Sequence, residues 1–542
     1  MYPELHAASA FSFLEGASLP ETLVDRAAEL GYTALALLDR DGVYGAPRFH
    51  KAATAAGIRP IIGCELTMGA GGASGAGRAS GGGRAGEAGR AGRASGASEA
   101  SRVGRAELPT IHYPLPTAVW RLPVLVESRQ GYRNLCRLIT RMKLRAPKGE
   151  GTLALEDLDG CTAGLVALVG REALSAGRHG VGGLVDRLTG LFGHSNVYVE
   201  IQRHLVREEE ASNRMLLDLA SAFHVPVVAT NGVRFSSPDQ RPLYDVLTCI
   251  RHKTDLEGAG RRLAFNAERY LKPPAEMEEL FADQRGALAS AAGLAERLRY
   301  TMVDLGYRFP SYPVPPGETL NSFLRKITEV GARERYRPYH DRARAQIARE
   351  LDLIEKLDLA GYFLIVWDIV NFCRQHRILA QGRGSAANSA VCYSLGITAV
   401  DPVGMDLLFE RFLSEERGEW PDIDLDLPSG DRREHVIQHV YEKYGRHGAA
   451  MTANVITYRG RSAAREVGKA LGFEVVALDR LSSLVRGWEW KDPIDTPERN
   501  ARDAGLDPEH PKIRKFLELY NAAQDLPRQA LDLVGCDAQH LA

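Results

Sequence analysis

The sequence predicts a multidomain α/β protein. Three observations lead there. Apolar runs of strand length alternate with helices of about ten residues near the N-terminus; the chain has 542 residues; and 44% of them are apolar against 25% charged. At about 150 residues per domain, this length makes roughly three or four domains. Acidic and basic residues nearly cancel, 69 against 68, for a net charge of −1. The composition excludes a disordered chain, a collagen and a small disulfide scaffold, and it confines any nucleic-acid surface to a local patch.

Taken in order, TLVDRAAELGY (22–32) has helical spacing and ends at Gly31, TALALLD (33–39) is a short apolar strand, APRFHKAATAAGI (46–58) is a second helix, and RPIIGCEL (59–66) a second strand. Such alternation implies α/β units around a largely parallel sheet. An insertion at about 69–110 breaks the pattern. Its first 37 residues, 69–105, are almost all Gly, Ala, Ser and Arg, with six arginines and two acids, and are expected to be a flexible loop. The α/β pattern resumes at RLPVLVESRQGYRNLCRLITRM (121–142) and ends with the strand PVVAT (226–230). A charged helical stretch and a Pro-rich segment (309–320) follow, then a compact unit from about Tyr362 and a helical, mixed-charge region over 454–531. Seven scattered cysteines without a C-x-x-C pair, an N-terminus unlike a signal peptide, and no apolar run near ~18 residues lead to the expectation of a soluble cytoplasmic protein.

The strongest chemical signal is PDIDLDLPSGDRREHVIQHV (421–440). On a strand, Asp422, Asp424 and Asp426 share one face. Adjacent carboxylates there repel unless a cation sits among them, and hard oxygen donors suit Mg²⁺. An exposed acidic strand end is the plainer alternative. A second signal precedes it. ILAQGRGSAANSAVCYSLGI (378–397) reads as strand, Gly-rich turn and helix, with Gly382 and Gly384 allowing close approach of an anion, Ser385 and the first helical amides as donors, and Arg383 as a cation. Arg411 and Arg417 lie between the two. Together these parts make up what phosphoryl or nucleotidyl transfer needs. Arg461, Arg465 and Lys469, spaced i, i+4, i+8, with Arg459 just before them, would line a helix face able to grip phosphates.

GYFLIVWDIV (361–370), GRGSAANSAV, LLFERFL (407–413) and PDIDLD resemble the palm of the C-family bacterial replicative polymerases, the DNA polymerase III alpha subunit group. ELHAASAFSFLEGAS, NVYVEIQRH, TCIRH and ANVITYRGRSAAREVGKALG (453–472) are similar to its error-prone branch. The resemblance implies a PHP-type (β/α) barrel-like domain over 1–270, a first palm part resembling polymerase beta over 271–453, a thumb over 454–531, and the start of a second palm segment over 532–542. It implies catalytic, Mg²⁺-binding roles for Asp422 and Asp424, nucleotide contacts from Arg383, Gly384, Ser385 and Arg411, and DNA contacts from Arg459, Arg461, Arg465 and Lys469. Asp426 would serve solubility or strand capping. The partners implied are primer-template DNA and dNTPs, with a sliding clamp and mutasome or other accessory proteins for a full-length protein, and no membrane. The family's third catalytic Asp has no matching motif at Asp532 or Asp537, so the chain is expected to be an N-terminal half, weak or inactive alone.

The N-terminal region resembles the polymerase-and-histidinol-phosphatase (PHP) domain, with its metal-ligand pattern eroded. H-x-H reads His6-Ala7-Ala8, T-D-H reads Leu38-Asp39-Arg40, and further ligand places hold Arg121 and Arg171. N-D-x-H reads Asn231-Gly232-Val233-Arg234, while Glu15 and Glu65 remain. Arginine stays protonated and binds no metal. We therefore expect no PHP metal, with Arg40, Arg121, Arg171 and Arg234 filling the pocket and pairing with Asp39, Glu15 and Glu65. The rival readings are a PHP-type metal-dependent phosphoesterase and a non-catalytic DNA-binding fragment.

Overall fold

The computed structural model describes residues 2–69, 119–146, 151–175, 180–303, 305, 312–414, 421–445, 448–450, 454–484, 496–503 and 505–530. The bulk of the insertion, Arg417, Asp532 and Asp537 lie outside them. The chain divides into two compact units, one of Met1–Tyr300 with Thr457–Pro527 and one of Thr301–Ile456 with Arg528–Ala542.

The first unit is built on a seven-stranded sheet in sequential order: β1 (Glu4–Ala7), β2 (Ala34–Arg40), β3 (Arg59–Met68), β4 (Trp120–Val126), β5 (Leu165–Val169), β6 (Val197–Ile201) and β7 (Val227–Ala229). Near-continuous apolar runs such as LVALV form strands buried on both faces. The pairings are parallel except that β4 runs antiparallel to both neighbours. A parallel neighbour needs a crossover, usually helical, and the sequence joining β3 to β4 is the Gly/Ala/Arg insertion. The sheet curls until Ala7 bridges Val233, just beyond β7. This nearly closes a barrel, with Val233 N–H donating to His6 O at 2.8 Å and Ala8 N–H to Val233 O at 2.9 Å.

Strand alternation sorts the two faces. Leu5, Leu38, Ile61, Val166 and Leu168 pack with Ala291, Leu294 and Ala295 of the helix Arg285–Arg297. Glu4 and His6, flanking Leu5, are buried as well.

The helices expected to form a thumb pack within this first unit. Ala463, Ala464 and Val467 of the helix Gly460–Ala470, together with Phe516 and Tyr520 of Pro511–Ala523, share one apolar core with Leu243, Val246 and Leu247 of Arg241–His252. Gly468 is needed there, because a Cβ would lie 2.1 Å from Leu478 Cδ2.

The second unit begins at Thr301, between position 271, which the resemblance implies, and Tyr362, where the sequence pattern alone starts a compact unit. The helices Leu320–Arg335 and Asp341–Lys356 belong to its core, contributing Leu324, Ile347 and Ile354 beside Phe363, Phe409 and Phe412. It contains a short antiparallel pair, β8 (Gln381–Arg383) and β9 (Asp424–Asp426). No helix among the described residues is long and apolar enough to cross a membrane.

Candidate functional site

In the second unit, the register Gln381↔Asp426, Gly382↔Leu425, Arg383↔Asp424 places the acidic strand directly beside the Gly-rich turn. Burial alternates from 422 to 426: the three aspartates are exposed, while Ile423 and Leu425 pack toward the core. Tyr362 fixes the strand's entry by accepting from Ile423 N–H at 3.0 Å. Gly382 permits the close pairing, since a Cβ there would lie 2.7 Å from Ile397 O. Gly384 has φ +72°, a left-handed turn that Gly adopts readily.

Two expectations change here. Arg383 faces carboxylates, 3.1 Å from Asp426 and 3.7 Å from Asp424. The turn leads into a single 3₁₀ stretch, Gly384–Asn388, and then a helix of only five residues, Ala390–Ser394. That helix's N-terminal amides are already occupied. Buried Glu350 accepts from Ala390 N–H (2.9 Å), Val391 N–H (3.0 Å) and Ser389 Oγ (2.8 Å). Its carboxylate takes the place at the helix start that an anionic ligand would use. Arg411 ends the short turn Phe409–Arg411 and is exposed.

In the first unit, Arg459, Arg461, Arg465 and Lys469 lie exposed, opposite the buried Ala463, Ala464 and Val467. Arg459 pairs with Asp525 at 2.6 Å, Arg465 with Asp479, and Lys469 with Glu466 at 2.8 Å. These are surface pairs, worth about 0–1 kcal/mol each.

The barrel interior holds a dense ionic network. Arg234 clasps Glu65 through both oxygens, at 2.6 and 3.1 Å. Arg121 bridges Glu15 at 2.5 Å and Glu65 at 3.3 Å. Glu15 also pairs with Arg40, and with Arg251 at 2.6 Å. His6 spans two carboxylates, Nδ1 to Glu200 at 2.6 Å and Nε2 to Glu65 at 2.7 Å. Burial would lower the His6 pKa, but Glu200 and Glu65 outweigh it and raise it to about 10, so both ring nitrogens donate. Burial would raise Glu65, yet Arg234, His6 and Arg121 hold it well below the usual carboxylate range.

Two of the predicted residues are arranged differently. Arg171 pairs with Glu209, at 2.7 Å, instead of the central acids. Asp39 accepts from Ser9 N–H and Oγ at 2.8 and 2.9 Å and from Ser12 Oγ at 2.9 Å, and pairs with no arginine among the described residues; burial raises it to about 6. Ala8 is fully buried, and Gly232, at φ +54°, leaves room that the Gln202 side chain occupies. Sequence reasoning missed Glu200, Arg251, Glu209, Arg269 and Glu350. A charged residue inside the apolar strand VYVEI was the available signal for Glu200; the other four carried none.

The donors do not fit the metal cluster of active PHP domains. An imidazolium has no lone pair to offer, and guanidinium groups occupy the places of further ligands. Among the described residues no group of three or more His, Cys, Asp or Glu side chains could hold a metal ion.

Fold and pocket together define a nearly closed barrel whose interior is held by ion pairs. The family described as "PHP domain" matches residues 4–204, and that described as "Bacterial DNA polymerase III alpha NTPase domain" matches residues 322–532. The chain is thus similar to one family over its N-terminal part and to the other over its C-terminal part. Curated relatives named error-prone DNA polymerase include one from Mycolicibacterium paratuberculosis, 40% identical over 97% of this chain and 45% of its own length. One from Mycobacterium bovis is 42% identical over 90% and 42%, and one from Anaeromyxobacter dehalogenans 38% identical over 98% and 50%. The chain spans about half the length of the curated relatives it matches.

Proposed function

We propose that the chain serves DNA-templated DNA synthesis: nucleotidyl transfer from a dNTP to a primer 3′-hydroxyl in error-prone, damage-tolerant replication and repair. The observation that carries this reading is the β8–β9 pair, which sets an acidic strand face beside a left-handed glycine turn. Asp422 and Asp424 present exposed, hard oxygen donors and fit Mg²⁺. When bound, the ions would offset negative charge on the triphosphate and on the attacking and leaving oxygens. Gly384 and Ser385 would seat the triphosphate, with Arg383 and Arg411 as its cations. Arg383 would exchange its exposed carboxylate partners for phosphate. The exposed face of Gly460–Ala470 would hold primer-template phosphates, because its surface ion pairs are weak enough to be displaced. The PHP domain would act without hydrolysis, its arginines standing in for metal charge. Clamp and accessory contacts belong to the reading of the longer protein.

Mg²⁺-dependent dNTP binding and primer extension test the proposal. Asp424→Asn is expected to weaken Mg²⁺-dependent dNTP binding about 10-fold, equivalent to ~1.4 kcal/mol. Unchanged, Mg²⁺-independent binding in both Asp422→Asn and Asp424→Asn would overturn it.

A further inference from the structure

The acidic strand has little of its own to hold it in place. It is three residues long and sits in a two-stranded sheet with the equally short β8, a ladder too small to be stable by itself. Its exposed carboxylates repel one another along one face. What fixes it comes from behind, from the helix Ala360–Gln375. The Tyr362 hydroxyl accepts at 3.0 Å from the N–H of Ile423, the residue between Asp422 and Asp424. Leu427, just past the strand, packs in a cluster with Ile369 and Phe372 of the same helix. The chain turns at Gly430, φ +77°, and comes back as the helix Asp431–Tyr444. His439 of this returning helix stacks its ring on Phe372 with centroids 3.7 Å apart. Asp368 then takes the end of the helix, accepting from Lys443 Nζ at 2.5 Å and from the Tyr444 hydroxyl at 3.0 Å. It is buried, and it is the one acid in the run GYFLIVWDIV. A carboxylate in such a place is unfavourable unless donors answer it; here Lys443 and Tyr444 do so, with the Tyr312 hydroxyl at 3.3 Å. The strand and the helix that follows it are thus pinned to a single helix at both ends.

We propose that Tyr362 and Asp368 are positioning residues for a divalent-metal site at Asp422 and Asp424. Neither touches the ion. Tyr362 sets the height and rotation of the strand at the point between the two carboxylates. Asp368 keeps the returning helix from drawing away and pulling the strand with it through the turn at Gly430. Two carboxylates share one small, hard cation only when both reach it together, and Mg²⁺ demands near-ideal geometry, so a strand free to shift by about 1 Å gives up affinity. The inference rests on the polymerase reading of the two aspartates and adds what determines their spacing.

Mn²⁺, an ion that suits the same oxygen ligands and is counted by electron paramagnetic resonance, serves as the probe on the whole chain. Asp422→Asn and Asp424→Asn are each expected to weaken its binding at least 10-fold. Tyr362→Phe keeps the ring and loses only the acceptor; it is expected to weaken Mn²⁺ binding about 3- to 10-fold while the far-ultraviolet circular dichroism stays that of the wild type. Asp368→Asn is expected to do likewise and serves as the second variant should Tyr362→Phe fold poorly. Tyr312→Phe takes a bond from Asp368 but touches neither the strand nor the returning helix, and its affinity should stay within about 2-fold of wild type. Backbone hydrogen exchange without metal is read in parallel: amides over 423–427 are expected to exchange about 3- to 10-fold faster in Tyr362→Phe and Asp368→Asn, while those of Asp341–Lys356 keep their rates. A merely structural role would lower Tm and leave the Mn²⁺ affinity of the folded variants untouched. That result, or unchanged exchange over 423–427, or an equal loss in Tyr312→Phe, overturns the inference alone. Mn²⁺ binding indifferent to both aspartate substitutions overturns the polymerase reading and this inference together.

Discussion

Glu65→Gln is the most informative perturbation of the barrel. Glu65 accepts from Arg234 at 2.6 and 3.1 Å, from Arg121 at 3.3 Å and from His6 at 2.7 Å, in a fully enclosed position. Glutamine keeps the shape but removes the charge and presents an N–H₂ group to cationic donors. Breaking one partner of a buried ion pair costs about 3–5 kcal/mol, since the remaining charges stay desolvated. For a unit of this size each kcal/mol moves Tm by about 1–2 °C, so a drop of roughly 3–10 °C is expected by calorimetry. Arg234→Met should cost a similar amount. The double variant should be less harmful than the sum, with a coupling of about 2 kcal/mol, because neither side then leaves its partner unmatched. Additive losses, or a single-variant loss under about 1 kcal/mol, would refute the assignment of Glu65 as the charge centre of the barrel.

Three further outcomes follow from the same geometry. His6 has its pKa raised from 6.5 to about 10, so its charged contacts contribute fully below pH 6.5 and are lost as pH rises through 10; the Tm gap between wild type and His6→Gln should narrow over that interval. Gly232→Ala must adopt φ +54° and place a Cβ 2.7 Å from the Gln202 side chain, at a cost of about 1–3 kcal/mol in a chemical-denaturation series. Glu350→Ala strands two buried amides and a hydroxyl at the start of Ala390–Ser394, and about 2–4 kcal/mol should be lost by denaturation read from second-unit probes such as Trp367.

The sequence showed the strands and the acidic face through two different patterns: LVALV is apolar throughout, as a strand buried on both faces requires, whereas Asp422, Asp424 and Asp426 alternate with Ile423 and Leu425 at a period of two. The arginines at the eroded ligand places were also legible, since each stands at a fixed position in a recognisable pattern. Their partners were not. Arg171 meets Glu209 because the helix Arg207–Ala222 brings that acid to it, a tertiary fact without a local trace. Glu350 reaches amides forty positions downstream for the same reason. The helix Gly460–Ala470 displays an apolar stripe in its sequence, but a stripe says that a face is buried, not what buries it. Hence its place beside Arg241–His252 could not be foreseen.

That return of the 457–527 helices to the N-terminal unit has a consequence for biosynthesis. A ribosome emits Leu243, Val246 and Leu247 more than two hundred residues before Phe516 and Tyr520 arrive to cover them. The nascent barrel must wait with a greasy flank bare while the intervening unit is translated, a delay in which chaperone protection matters most. Cutting the gene anywhere between these stretches would leave that flank permanently uncovered, so an excised barrel should aggregate even though all seven of its strands are present.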